Sequence, residues 1–166
     1  MKDIGKTTVF GIFHRQAMPD GVMPVEEFSL EKYCGRWFEI GRMDFFWEKK
    51  SLTNVYAEYT INEEGTVDVK NTGFNEKSGK WSSYEGEARF RADNNIAALE
   101  VTFFGGAWAG YNVVSIDKDY KNALVYGRNL DYLWILSRDR SMPQSIKDLF
   151  LAIAKETGYD ISKINW

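Results

Sequence analysis

Cysteine occurs once in the 166 residues, at Cys34, and histidine once, at His14. A single cysteine excludes an internal disulfide, so the fold must rest on its core. A lone histidine near one end argues against a Ser-His-acid triad and against a His-based metal site. No Gly-rich phosphate loop occurs, and no metal or cofactor is expected. No stretch approaches the roughly 20 apolar residues that span a bilayer as a helix. Positive charge is not in excess: 21 Lys and Arg stand against 24 Asp and Glu, a net charge of -3. The broad basic face of a nucleic-acid binder is therefore absent, and no nucleic-acid partner is expected. There is no internal repeat, low-complexity tract or Gly/Ser linker, so the length reads as one domain able to bury its own core. The opening "MKDIGKTTVFGIFHRQAMPDG" has a short apolar patch and no small-residue cleavage site, and is not a complete signal peptide.

Aromatics are plentiful: 16% of residues, six of them Trp. Such side chains furnish much of the wall of apolar pockets. Residues 1–24 read as irregular, with Pro19, Gly21 and Pro24 as breakers. Beyond them, short alternating runs recur near 37–42, 54–61, 66–73, 80–90, 97–104, 111–116, 122–127 and 132–137. Turn-forming stretches such as "NEEGT", "NEKSG" and "GRNLD" separate them. Eight closely spaced strands predict an all-β, antiparallel, up-and-down sheet, and closure into a barrel removes its edges. A C-terminal helix follows, with Ser141 as N-cap, Gln144 completing a capping box and Gly158 as the stop. Ile146, Leu149, Phe150 and Ile153 form its apolar stripe. The last strand, "YLWILSR", is apolar on both faces, as in a strand covered on both sides. Tyr132, Trp134 and Leu136 are assigned to the barrel interior, and Leu133 and Ile135 to a helix packed outside.

Gly35 and Trp37 start the first strand and Arg138 ends the last. In a closed barrel these strands are antiparallel neighbours, so Arg138 and Trp37 meet at one end. A guanidinium over an indole contributes about 0.5–2 kcal/mol, and Gly35 leaves room for the chain to pass close to the ring. All three residues read as a structural closure rather than as catalytic groups. These positions carry a family resemblance. Gly35-x-Trp37, "DKDYKNALVY" from Asp117 to Tyr126, and Arg138 in "YLWILSR" match three motifs of the lipocalins in order. "FFGGAWAGYNV" and "GYDISKINW" are similar to the bacterial, outer-membrane lipoprotein branch. The resemblance covers about residues 22 to 166. It implies an eight-stranded barrel over 25–166, open at one end to a ligand cup, with a periplasmic or outer-membrane location. This chain shows neither a complete signal segment nor an anchor cysteine, which keeps a cytoplasmic location open.

Strand parity predicts what lines the cup. Counting by twos gives Glu39, then Val55, Ala57 and Tyr59, then Val69 and Asn71. Leu99 and Val101 follow, then Asn112 and Val114, Val125, and finally Tyr132 and Trp134. A β-bulge would flip parity beyond it. Phe45, Phe46, Trp47 and Trp108 fall in loops at the open end and are expected to form an aromatic rim. Lys49, Lys50 and Arg42 are the rim charges available to an anionic head group. Cys34 is expected to be buried and inert at the closed end.

Function follows as non-covalent binding and carriage or storage of an apolar or amphiphilic small molecule. The resemblance makes fatty acids and lysophospholipids the favoured class. No catalytic residues are assigned. Two alternatives stand beside this: a small isomerase or pigment- or haem-dependent enzyme on the same barrel, with Glu39 as a candidate acid, and a module whose aromatic rim docks on a membrane or protein surface.

Overall fold

The computed structural model describes residues 3–9, 13–43, 51–103 and 105–166. Eight strands make the barrel: β3 (Gly35–Met43), β4 (Leu52–Ile61), β5 (Val67–Asn75), β6 (Lys80–Phe90), β7 (Ala98–Thr102), β8 (Ala109–Ile116), β9 (Asn122–Tyr126) and β10 (Leu133–Ser137). Each pairs antiparallel with the next, and β10 pairs with β3 to close the ring. The expected architecture is the observed one. Turn chemistry explains several joints. Asn75 Oδ1 accepts from the backbone N–H of Lys77 and Ser78, and Gly79 at φ +69° completes that hairpin. Asp117 Oδ1 likewise accepts from Lys121 and Asn122 in the loop before β9.

The segment expected to be irregular holds a hairpin, β1 (Lys6–Val9) with β2 (Phe13–Gln16). Its partners are distant in sequence, which is why local pattern misses it. Thr7 Oγ1 donates to Glu100 on β7, and Arg91 Nε donates to the carbonyl of Ile4 at 2.9 Å. The hairpin thus lies on the outer wall of β7 and β8. A short helix, α1 (Leu30–Tyr33), precedes β3. Ser29 caps it, accepting from the N–H of Lys32. Cys34 is its C-cap and is half-buried rather than buried, because the helix end sits at the edge of the closed end.

The C-terminal helix α2 (Gln144–Thr157) starts later than its cap signal suggested. Pro143 is the N-cap and makes no side-chain cap bond. Gln144 donates forward to Asp148, not back to Ser141. The ring of Pro143 fixes φ near the value that begins a helix, so no capping box is needed. Gly158 ends α2 in the left-handed region at φ 118°. The stripe is rotated from expectation: Phe150 and Ala154 are buried, Ile146 and Ile153 half-buried, and Leu149 is 52% exposed. Ala154, with no side chain beyond Cβ, lets the helix lie close to the sheet. A 3₁₀ turn (Ile161–Lys163) then leads to β11 (Ile164–Asn165), which pairs with the end of β3.

Two cores result. One fills the closed half of the barrel around Trp37, Tyr59, Leu99, Val113 and Leu136. The other lies between the outer face and α2, and includes Leu124, Leu133, Ile135 and Phe150. The two parities of β10 therefore face opposite cores, as its double apolarity required.

Candidate functional site

The barrel encloses a cavity of about 320 Å³, at the lower end of the roughly 300–1,000 Å³ common for ligand sites. Strand alternation turns Glu39 of β3, Val55, Ala57 and Tyr59 of β4, and Val69 and Asn71 of β5 into it. Leu99 and Val101 of β7 line it as well, with Tyr132 just before β10 and Trp134 within it. The wall is dominated by apolar atoms, so water inside is poorly held and an apolar chain gains by displacing it.

Three expected lining residues lie elsewhere. On β8 the inward side chains are Tyr111 and Val113, whereas Asn112 and Val114 face out. A register shift between Val113 and Ser115 marks a bulge. The shift exchanges the faces only beyond it; Asn112 precedes it and faces out by alternation with Tyr111 and Val113. Asn112 is fully buried all the same, under the N-terminal segment. Val125 faces inward, but within the packed core and not the cavity wall.

The rim also differs. Phe45, Phe46 and Trp47, with Lys49 and Lys50, lie outside the described residues. Trp108 does not line the cavity. Its neighbours Ala107 and Ala109 do, and its ring packs on the outer wall under the guanidinium of Arg89, 3.8 Å from the ring centroid. Arg42, counted among the rim charges, is buried. In β3 an extra residue opposite Ile135 and Leu136 brings Glu39 and Arg42 to the same side, where Arg42 Nη1 donates to Glu39 Oε1 at 2.6 Å.

The floor of the cavity is aromatic and hydrogen-bonded. The hydroxyls of Tyr33 and Tyr111 bond to each other, and Tyr111 also meets Tyr59 at 2.9 Å. Burial pushes the Tyr33 and Tyr111 phenols well above their usual range; the neighbouring Tyr59 hydroxyl adds to this for Tyr33, and the Tyr33 and Tyr59 hydroxyls for Tyr111. Below the floor, Arg138 stands over Trp37 with its guanidinium carbon 3.8 Å from the ring centroid. Nε donates to the carbonyl of Tyr120 at 3.0 Å and Nη1 to that of Arg36 at 2.9 Å. Nη2 donates to the carbonyls of Lys32 and Tyr33 at 2.8 and 3.0 Å. Trp37 Nε1 donates to the carbonyl of Tyr33 at 2.7 Å.

Tyr33, Tyr111, Arg15 and Arg128 also line the cavity and were not foreseen. Parity counted from Ala109 would have found Tyr111. Tyr33 and Arg15 precede the barrel, where no alternation speaks for them.

The comparisons with known proteins agree with this geometry. The model of the family described as "Lipocalin-like domain" matches residues 28–166. The outer membrane lipoprotein Blc of Escherichia coli (strain K12) is 42% identical over 148 residues, covering 89% of this chain and 83% of that protein. Outer membrane lipoprotein Blc of Citrobacter freundii is 41% identical with the same coverage. Among solved structures, insecticyanin of the tobacco hornworm Manduca sexta superposes with a TM-score of 0.69 at 20% identity, covering 89% of this chain and 84% of that one. At that identity the likeness speaks for the fold.

Proposed function

This chain belongs to the lipocalin family, whose members bind small hydrophobic ligands, and from that premise we propose that its cup carries or stores a single-chain amphiphile, a fatty acid or a lysophospholipid. The observation that carries this is one cavity with an apolar wall, sealed below by Trp37 and Arg138. Its volume of about 320 Å³ suits a single extended chain. Burial of each methylene contributes roughly 0.8 kcal/mol before ordering costs.

The role is binding without chemistry. Glu39, the carboxylate an acid catalyst on this barrel would use, is ion-paired with Arg42 inside the wall. Cys34, the C-cap of α1, is not among the residues that line the cavity. The Blc relatives carry the name of outer membrane lipoproteins, which supports a place in the periplasm or at the outer membrane for this chain too.

Titration of delipidated protein with fatty acids and lysophospholipids of increasing length, read by Trp134 fluorescence, tests the proposal. Affinity should rise by up to about 0.8 kcal/mol per methylene and then level off once the cup is full. Absence of saturable binding for every chain length overturns it.

A further inference from the structure

Two cations stand at the cavity on separate arms of the chain. Arg128 lies in the loop between β9 and β10, and Arg15 on β2 of the N-terminal hairpin; both line the cavity. Among the described residues neither guanidinium is ion-paired. Arg128 leans on the ring of Tyr132, 5.5 Å from its centroid. Arg15 Nη2 donates to the carbonyl of Trp108 at 2.7 Å, while its buried Nε has no acceptor. A buried guanidinium N–H without an acceptor is unfavourable until an oxygen reaches it. Burial, and then the like charge of Arg128, both lower the pKa of Arg15. An anion between them would relieve both penalties.

The arms are held, not loose. Asn112, fully buried, donates from Nδ2 to the carbonyls of Ala17 at 2.9 Å and Gly127 at 3.3 Å. These carbonyls lie two residues after Arg15 and one before Arg128. Asn112 Oδ1 in turn accepts from Arg91 Nη2 at 2.8 Å. Gly110 lets the hairpin segment lie on the wall at all: a Cβ there would stand 1.7 Å from the Ala17 carbonyl oxygen. The other arm is braced from just beyond the end of α2. Tyr159 donates its hydroxyl to the carbonyls of Asn129 and Tyr132 at 3.1 and 2.9 Å.

We propose that Arg15 and Arg128 together form an anionic head-group site at the open end of the cup, taking the carboxylate or phosphate of an amphiphile whose tail fills the cavity. Arg15 lies upstream of residues 28–166, so half of this site comes from outside the stretch that the family model describes. The proposal rests on the carrier reading. Two arginine forks offer bidentate donors to a carboxylate or phosphate and far less to a neutral hydroxyl.

The test compares dodecanoic acid, dodecyl phosphate, dodecanol and inorganic phosphate alone on delipidated protein. The variants are Arg15→Gln, Arg128→Gln and the double change, each checked for an unaltered thermal transition. The native protein should prefer the acid and the alkyl phosphate over dodecanol by about tenfold or more. Each single variant should lose most of that preference and the double variant all of it, with dodecanol affinity held within about twofold. Arg128→Gln leaves the hairpin untouched, so it decides the matter even where Arg15→Gln detaches β2. Saturable dodecanol binding without acid preference, or a preference that survives the double change, overturns the head-group site and leaves the carrier reading standing. Inorganic phosphate binding as tightly as dodecyl phosphate would make this a free-anion site and also overturn it. No binding of any alkyl ligand would sink both.

Discussion

A Cβ placed on Gly35 would lie 3.3 Å from Nη1 of Arg138, and Gly35 holds φ at +100°. The two residues share one space at the closed end. The absent side chain of the first lets the second reach the carbonyls that it ties together. Gly35→Ala should destabilise the fold by about 1–3 kcal/mol, from backbone strain and a displaced guanidinium. Arg138→Ala should lose a similar ~1–3 kcal/mol through the ring contact and the loss of its bonds to the carbonyls of Lys32, Arg36 and Tyr120, while Trp37 still donates to that of Tyr33. Denaturant unfolding measures both, and a native midpoint in either variant would contradict the closure. Ligand affinity per folded molecule should stay unchanged.

The tyrosine floor gives the protein an alkaline weakness. In the unfolded chain phenols release protons from about pH 10, whereas in the folded state Tyr33 and Tyr111 hold theirs to higher pH. Above pH 10 the native state therefore binds more protons than the unfolded state, and stability must fall as pH rises. Tyr111→Phe removes one of these groups, so its stability should decline less steeply with pH. At neutral pH the variant should be weaker by about 1–3 kcal/mol, because the buried Tyr33 hydroxyl loses its partner. Unfolding midpoints on both sides of pH 10 check both effects.

Cys34 should label slowly in the native protein. Desolvation first, and the charge of Glu31 second, raise its pKa and keep it in the unreactive thiol form. Denaturation should accelerate labelling severalfold or more, and labelled protein that refolds should still bind ligand. Fast native labelling that abolishes binding would place the thiol in the ligand's path.

Ala57→Trp should fill part of the cavity from β4. Dodecanoic acid affinity should drop tenfold or more, by about 1.4 kcal/mol, with a thermal transition near that of the native protein. Calorimetric titration measures it. Unchanged affinity would mean that the ligand does not pass Ala57.

Strand order, closure, the two faces of β10 and the meeting of Trp37 with Arg138 were legible in the sequence, because each follows from period-two alternation or from which strands are first and last. Four features were not. The phase of β8 was one: Asn112 precedes the bulge and faces out by alternation with Tyr111 and Val113, and the extra residue, which leaves no mark in a two-residue period, reverses the faces only beyond Val113. Trp108 looked like a rim residue for its loop, but its place was set by Arg89 on a neighbouring strand. The hairpin of residues 6–16 depends on Glu100, Arg91 and Asn112, far along the chain. Arg42 reads as a surface charge until the bulge in β3 sets Glu39 beside it.

The double engagement of β3 has a consequence for how the molecule comes into being. Its first half pairs with β4, while its second half waits for β10 and β11. The seam contact from Arg138 to Lys32 spans 106 residues. During synthesis the earlier strands emerge with that edge unpaired, and the ring shuts only when the late strands arrive. Closing so long a loop before any seam contact forms makes assembly slow. Until then β3 is the segment most open to pairing with a wrong strand or with another chain. Crowded nascent chains should therefore join through β3.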